Sequence, residues 1–344
     1  MSGQRRHGPD SPDGEDLFGK DTRKMKMAYK LLGNTGVKVS PLCMGTMTFG
    51  KEADEAASAA IFNRCREAGI NFFDCANVYA KGESERILGG LIQGCRDEVV
   101  ITTKVFDRIG TDINAGGTSR RHIMASVEQS LRRLKTDHID VYFLHHFDEE
   151  TDMEDSLRAL DDLVKQGKIL YPAASNYAAW QIMKARAISR REGWSPFRCI
   201  EPMYNLVKRQ AEVEILPMAA SENLAVIPYN PLAGGLLTGK YLQDQPLSAG
   251  RFVENSEYQK RYGDPRIQET VRKFVQFAQE HGYHPAALAV AWVSRHPAVT
   301  APIIGARNTE QLEDSLKSLE IDMTPELYRQ ISELSVAPPL ATDR

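Results

Sequence analysis

No apolar run in this 344-residue chain approaches the ~20 residues that a membrane-spanning helix needs, so a membrane anchor is not expected. Neither charge is in surplus: 43 Lys and Arg stand against 46 Asp and Glu, a formal net charge of -3. Holding nucleic acid or an anionic membrane takes a basic field, so a small-molecule partner is expected instead. Cysteines are few and odd in number, Cys43, Cys65, Cys75, Cys95 and Cys199, without the pairing of a metal site. That usage excludes a disulfide framework and reads as a reduced, cytoplasmic protein. The first 26 residues are polar and turn-rich and lack the apolar core of a secretory signal, so 1–26 reads as a mobile tail, with a second, short tail at 337–344. What remains, 27–336, is long enough for one barrel or two ordinary domains.

Within that stretch, short β-rich apolar runs alternate with longer segments of helical period, the pattern of βα units feeding a parallel sheet. Strands are expected over 41–46, 70–74, 99–104, 139–145, 169–175, 197–201, 224–229 and 299–304. Helices are expected near 54–68, 83–94, 119–135, 152–166, 177–192, 209–220, 269–295 (broken at Gly282 and Pro285) and 308–318. Gly69, Gly167, Gly193 and Gly282 stand where helices should stop. Thr151 with Glu154 suits a capping box, and Thr324 before Pro325 suits the start of an extra C-terminal helix. Pro302 is awkward inside the eighth strand, because it has no N–H for the ladder. Eight such units predict an α/β fold, a single (β/α)8 TIM barrel over 27–336. The alternative, an open doubly wound sheet, would carry a G-x-G-x-x-G turn after its first strand, and Cys43-Met44-Gly45-Thr46-Met47 does not supply one.

Polar residues fall in a telling place. Asp74, Lys104, His145, Ser175-Asn176, Glu201 and Tyr229 each stand at or just after the C-terminal end of a different expected strand. Any one of them reads as a strand running into a polar loop; six together favour a site, since strand C-termini meet at only one rim of a barrel. A tyrosine, with an unperturbed pKa of about 10, becomes a usable acid if an ammonium stabilises its phenolate. Tyr79 and Lys104 supply such a pair, Asp74 can hold the lysine charged, and His145 can orient a carbonyl. Neither an activated nucleophile nor His/Cys spacing for zinc is evident, so hydrolase and metal readings fall behind and no metal is expected. Side chains cannot donate a hydride, so a nicotinamide is implied. Tyr229 offers a flat face for such a ring, and Gly234-Gly235 and Gly305 follow the last two strands, where barrels often bind phosphate.

These residues resemble the aldo-keto reductase family over about 29–334. Leu31-Leu32-Gly33-Asn34-Thr35-Gly36-Val37-Lys38-Val39-Ser40, followed by Gly45-Thr46-Met47-Thr48-Phe49-Gly50, looks like the family's opening hairpin and first strand. Asp74-Cys75-Ala76-Asn77-Val78-Tyr79 with Gly82-Glu83-Ser84-Glu85 is similar to its D-x-A-x-x-Y-x-x-G-x-S-E signature, with Cys75 where threonine is common. Ser130-Leu131-Arg132-Arg133-Leu134-Lys135-Thr136-Asp137, leading to Asp140-Val141-Tyr142-Phe143-Leu144-His145, resembles the segment bearing the family's histidine.

The resemblance implies a barrel with an N-terminal hairpin that reduces an aldehyde or ketone with NADPH, returning NADP+. It implies Tyr79 as general acid, Lys104 and Asp74 as its tuning pair and His145 as the carbonyl-orienting group. For the cofactor it implies Gly45, Thr46, Met47 and Asp74 at the first two strands, and Ser175 with Asn176 at the carboxamide. Tyr229 would stack on the ring, with Asn230, Pro231, Leu232, Gly234 and Gly235 near the pyrophosphate. Gly305, Arg307 and Gln311 would hold the adenosine end, Arg307 forking onto a 2′-phosphate and so favouring NADPH over NADH. Two departures stand out: Glu201 where glutamine is usual, and Asp314-Ser315 where Glu-Asn is usual. An ionised Glu201 would favour the oxidised, positively charged ring; the other reading has it neutralised by protonation or paired with a cation such as Lys208. His146 reads as pocket lining or loop surface. Substrate choice is expected from the loops 106–118 and 236–268 and from the tail after Val336. Two other functions stay open: a nucleotide-binding redox sensor or regulatory subunit similar to potassium-channel β-subunits, and an isomerase or aldolase with Lys104 as a Schiff-base nucleophile.

Overall fold

Eight short strands, each parallel to its neighbours, carry the architecture in this computed structural model, which describes residues 27–242 and 250–342. The expected tail 1–26 lies outside the described residues, as do 243–249 of the expected specificity loop and the last two residues of the C-terminal tail. An antiparallel hairpin of β1 (Lys30–Leu31) and β2 (Lys38–Val39) comes first. The sheet then runs through β3 (Cys43–Gly45), β4 (Phe72–Asp74), β5 (Val100–Val105), β6 (Ile139–Leu144), β7 (Ile169–Ser175), β8 (Cys199–Glu201), β9 (Ala225–Val226) and β10 (Ile303–Ile304). β10 pairs with β3, and each later strand pairs with the next in sequence. The remaining seam is bridged by backbone hydrogen bonds from Thr300 N to Val226 O and from Ile303 N to Pro228 O, each 2.9 Å. Together they make a (β/α)8 barrel.

Strands buried on both faces read as apolar runs, and β5 is buried at all six positions. Side chains alternate along a strand, so one set points into the barrel and the other out to the helices. The inward set forms a compact apolar floor: Cys43, Phe72, Val100, Val141, Phe143 and Ala173, with Leu32 and Val39 of the hairpin packed into the same cluster. Outward residues such as Met44, Phe73, Ile101, Tyr142 and Ile200 meet the surrounding helices in a second, larger cluster. The same alternation carries the inward face upward from Phe72 to Asp74, from Val100 through Thr102 to Lys104, from Ala173 to Ser175 and from Cys199 to Glu201. A polar layer therefore sits on the apolar one at the C-terminal ends of the strands.

The expected helices form at Glu55–Glu67, Glu83–Leu91, Arg120–Leu134, Met153–Lys165, Ala179–Glu192, Ile215–Ser221, Pro285–Arg295 and Thr309–Leu316, with Pro325–Glu333 as the extra C-terminal one. Pro265–Glu280 precedes Pro285, so the long segment is broken where its Gly and Pro stand. The four expected stop glycines all have positive φ. Thr324 caps its helix by accepting from Leu327 N at 3.2 Å.

Several expectations change. The cap before Met153 is Asp152, whose Oδ1 accepts from Glu154 N at 2.9 Å, whereas the Thr151 hydroxyl is drawn away to Asp148 at 2.7 Å. The eighth strand shrinks from 299–304 to two residues, since Pro302 offers only its carbonyl, taken by Cys43 N at 3.0 Å, and Thr300 Oγ1 accepts from Val226 N at 3.1 Å. Two helices, Arg251–Glu254 and Ser256–Tyr262, occupy part of the expected loop 236–268. No helix among the described residues is long and apolar enough to cross a membrane.

Candidate active site

Register sets the geometry of the rim. Gly45 lies level with Asp74 and Asp74 with Thr102, while Ser175 lies level with Glu201, so inward residues from neighbouring strands end at one height. At its centre the fully buried Lys104 ammonium donates to Asp74 Oδ1 at 2.5 Å, to Cys75 O at 2.9 Å and to Tyr79 Oη at 3.4 Å. Glu201 Oε2 lies 3.3 Å away in ion-pair contact. Asp74 also accepts from Thr102 Oγ1 at 2.5 Å. Burial alone would pull the ammonium down, but Asp74 and Glu201 outweigh it and hold Lys104 well above the ordinary lysine value. Burial, reinforced by the Asp74 charge, pushes the Glu201 carboxyl well above the usual carboxylate range against the opposing pull of Lys104. The cation Glu201 meets is thus Lys104 and not Lys208.

Tyr79 stands just past β4, where Ala80 and Lys81 both take positive φ and bend the chain sharply into the helix Glu83–Leu91. An ammonium beside a phenol was expected to lower its pKa. Here burial raises that of Tyr79, and Lys104 opposes the rise without prevailing. The ring stands edge-on to His145, with centroids 6.2 Å apart and planes at 78°. Burial likewise lowers His145, against a smaller upward pull from Asp107, so its imidazole is neutral at pH 7. His145 Nδ1 faces Asp107 Oδ2 at 3.4 Å but finds no hydrogen-bond partner. His146 stacks on His145 at 4.8 Å between centroids and is half-buried.

Beside this cluster, Ser175 Oγ donates to Glu201 O at 3.0 Å, and Asn176, at φ +59°, donates from Nδ2 to His145 O at 3.0 Å. Tyr229 Oη donates to Asn176 Oδ1 at 2.8 Å, which brings the expected carboxamide and stacking residues together. Thr46 serves the scaffold: its hydroxyl donates to Asp74 O at 2.9 Å and accepts from Ser84 Oγ at 2.9 Å. Gly45 is held close against β10, where a Cβ would come 2.6 Å from Ile303 Cγ2, and Met47 follows on the half-buried turn beyond it.

After β9 the chain coils through Asn230, Pro231, Leu232 and Ala233 to Gly234 and Gly235, with φ positive at Asn230 and at all three residues from Ala233. Asn230 Oδ1 accepts from Gly234 N at 2.7 Å. A Cβ on Gly235 would come 3.0 Å from Lys240 Nζ, so a cation lies against the loop. That backbone and cation fit a pyrophosphate. Gly305 is open, with no atom within 4 Å of a Cβ built there. Arg307 lies 4.0 Å from Glu52, and its backbone N–H donates to Gln311 Oε1 at 3.1 Å, which assigns that side chain to the helix start. Asp314 pairs with Lys317 at 3.2 Å, while Ser315 is buried with Oγ lacking a hydrogen-bond partner among the described residues.

Sequence reasoning missed three residues here and the partners of a fourth, Glu85. Thr102 was hidden mid-strand, though period two from Lys104 marks it. Glu85, fully buried, accepts from Thr103 Oγ1 at 2.6 Å and Arg133 Nε at 2.7 Å, tying the signature segment to its neighbours. Lys240 and Asp107 sit in loops, where no periodicity points to them.

A family model described as the aldo/keto reductase family matches residues 41–336. The chain is 37% identical to an uncharacterized oxidoreductase of Bacillus subtilis, over 91% of this chain and 97% of that protein. It is 35% identical to a probable voltage-gated potassium channel subunit beta of Oryza sativa, over 92% and 99%, respectively. With a norsolorinic acid reductase of Aspergillus flavus it shares 32% identity over 88% of this chain and 79% of that one.

Proposed function

Because the chain belongs to the aldo/keto reductase family, we propose that it reduces an aldehyde or ketone to the alcohol, with NADPH as reductant and Tyr79 as the proton donor. The observation that carries this reading is the buried Lys104 ammonium, in contact with Asp74 at 2.5 Å and Tyr79 Oη at 3.4 Å. The bound nicotinamide supplies the hydride. Tyr79 stays protonated well past neutral pH, so the donor is loaded when the carbonyl oxygen becomes basic. Lys104 stabilises the phenolate that proton transfer leaves behind, and Asp74 keeps the ammonium charged and in place. His145, neutral, hydrogen-bonds the carbonyl and sets its angle to Tyr79. Ser175 and Asn176 hold the carboxamide, Tyr229 covers the ring, the loop from Asn230 to Gly235 with Lys240 takes the pyrophosphate, and Arg307 takes the 2′-phosphate. The Asp74 carboxylate holds Lys104 charged, which disfavours the neutral amine a Schiff base requires.

A second reading follows from the relatives named as potassium channel β-subunits: a nucleotide-binding regulatory protein on the same barrel. A screen of aldehydes, ketones and quinones with NADPH and NADH side by side separates the two. Steady oxidation of NADPH over many turnovers is the expected result; a single-turnover burst followed by silence would favour the regulatory reading.

A further inference from the structure

Topology places three metal-ligating side chains on the substrate side of the rim. β6 runs into the adjacent His145 and His146, and the loop after β5 brings Asp107 beside them. One ligand atom from each lies within 4.8 Å of the other two. We propose that Asp107, His145 and His146 form a binding site for a single borderline divalent cation such as Zn²⁺.

The ligand set argues for the ion. Two imidazoles and one carboxylate suit zinc, whereas magnesium and calcium seek oxygen shells. Bonds of about 2.0–2.2 Å in a tetrahedron put ligand atoms about 3.4 Å from one another. His145 Nδ1 and Asp107 Oδ2 stand 3.4 Å apart, so one edge of that tetrahedron is already built. At the same time Nδ1 is buried and without a hydrogen-bond partner. With the imidazole proton on Nε2, where it can reach a carbonyl, the Nδ1 lone pair faces a carboxylate, and a cation between them relieves two facing acceptors. His146, one ring nitrogen of which lies within 4.8 Å of the other two ligand atoms, supplies the third ligand. Asp107, 39% exposed, marks the way in, and a fourth position is left for water or substrate.

Zinc at this place clamps the 106–118 loop to the end of β6 and draws His145 toward the metal. Under the reductase reading it therefore slows turnover.

The test uses the full chain and Zn²⁺ titrated against a chromogenic chelator, with Co²⁺ as a spectroscopic probe. One equivalent should bind, and Co²⁺ should give visible d–d bands. His146→Ala and Asp107→Asn should each weaken Zn²⁺ binding by at least about tenfold and remove those bands, since even outer-shell losses cost about 10–100-fold. Thermal melting of both variants controls for folding. No bound equivalent, or an equivalent that both variants retain at wild-type affinity, overturns the proposal. Zinc inhibition of NADPH oxidation, relieved by EDTA, is read separately and rests on the reductase reading, so the metal site and that reading can fail independently.

Discussion

Tyr79→Phe removes one hydroxyl and leaves the ring, so it isolates proton donation. Carbonyl reduction should fall by about 10²–10⁴-fold while NADPH affinity stays near wild type, checked by steady-state turnover and fluorescence titration. Wild-type turnover in the variant would place the acid elsewhere. Glu201 makes a different prediction, independent of any ligand. Burial and the Asp74 charge raise its pKa in the folded chain, so between the unfolded value of about 4.3 and the higher folded value the native state holds a proton that the unfolded state has lost. Stability therefore falls as pH rises through that window, by about 1.4 kcal/mol for each unit of difference. Glu201→Gln cannot ionise, so its melting temperature should climb relative to wild type from pH 5 to pH 8. Parallel curves would mean that the carboxylate is ionised at little cost. That Asp74, Tyr79, Lys104 and His145 come together was legible because each stands at a strand end or in the loop just after one. The direction of the Tyr79 shift was not, because desolvation depends on packing that spacing does not encode.

Among the elements, the loop after β9 is the most constrained. Gly234 has φ +70°, and a Cβ there would come 2.5 Å from Tyr258 Cδ1 in the helix Ser256–Tyr262. Gly234→Ala should therefore cost on the order of 1–3 kcal/mol from backbone strain, more if Tyr258 cannot move, and should weaken NADPH binding. Urea unfolding and cofactor titration check the two effects; unchanged stability would show that the loop relaxes freely. That helix also shows why reading this region was hard. It has little apolar period, and its anchor is tertiary: Tyr262 is fully buried, with its hydroxyl accepting from Asn230 Nδ2 at 2.6 Å and Asn205 Nδ2 at 3.2 Å. Strands β5, β6 and β7 were readable as long apolar runs, whereas β9 and β10 reduce to two residues each because part of their bonding passes to the Thr300 hydroxyl and to the carbonyls of Pro228 and Pro302.

At the scale of the whole molecule, alternation along eight strands sorts an apolar floor from a polar rim, and this much was visible in the sequence; closure of the seam by Thr300 and Ile303 was not. Two cations stand beyond the last two strands, Lys240 against the glycine loop and Arg307 just ahead of the last barrel helix. A ligand that binds only the folded barrel stabilises all of it, by about 2.7 kcal/mol at a hundredfold excess over its dissociation constant. For a chain of this size that raises the melting temperature by roughly 5 °C. NADPH should do this at concentrations where NADH does less, because the adenosine 2′-phosphate gives Arg307 a partner able to compete with Glu52, 4.0 Å away. Arg307→Ala should bring the NADPH shift down to the NADH shift and leave the latter unchanged. Equal shifts in wild type, or a difference that survives the substitution, would remove Arg307 from the 2′-phosphate and leave the cofactor preference to other residues of the rim.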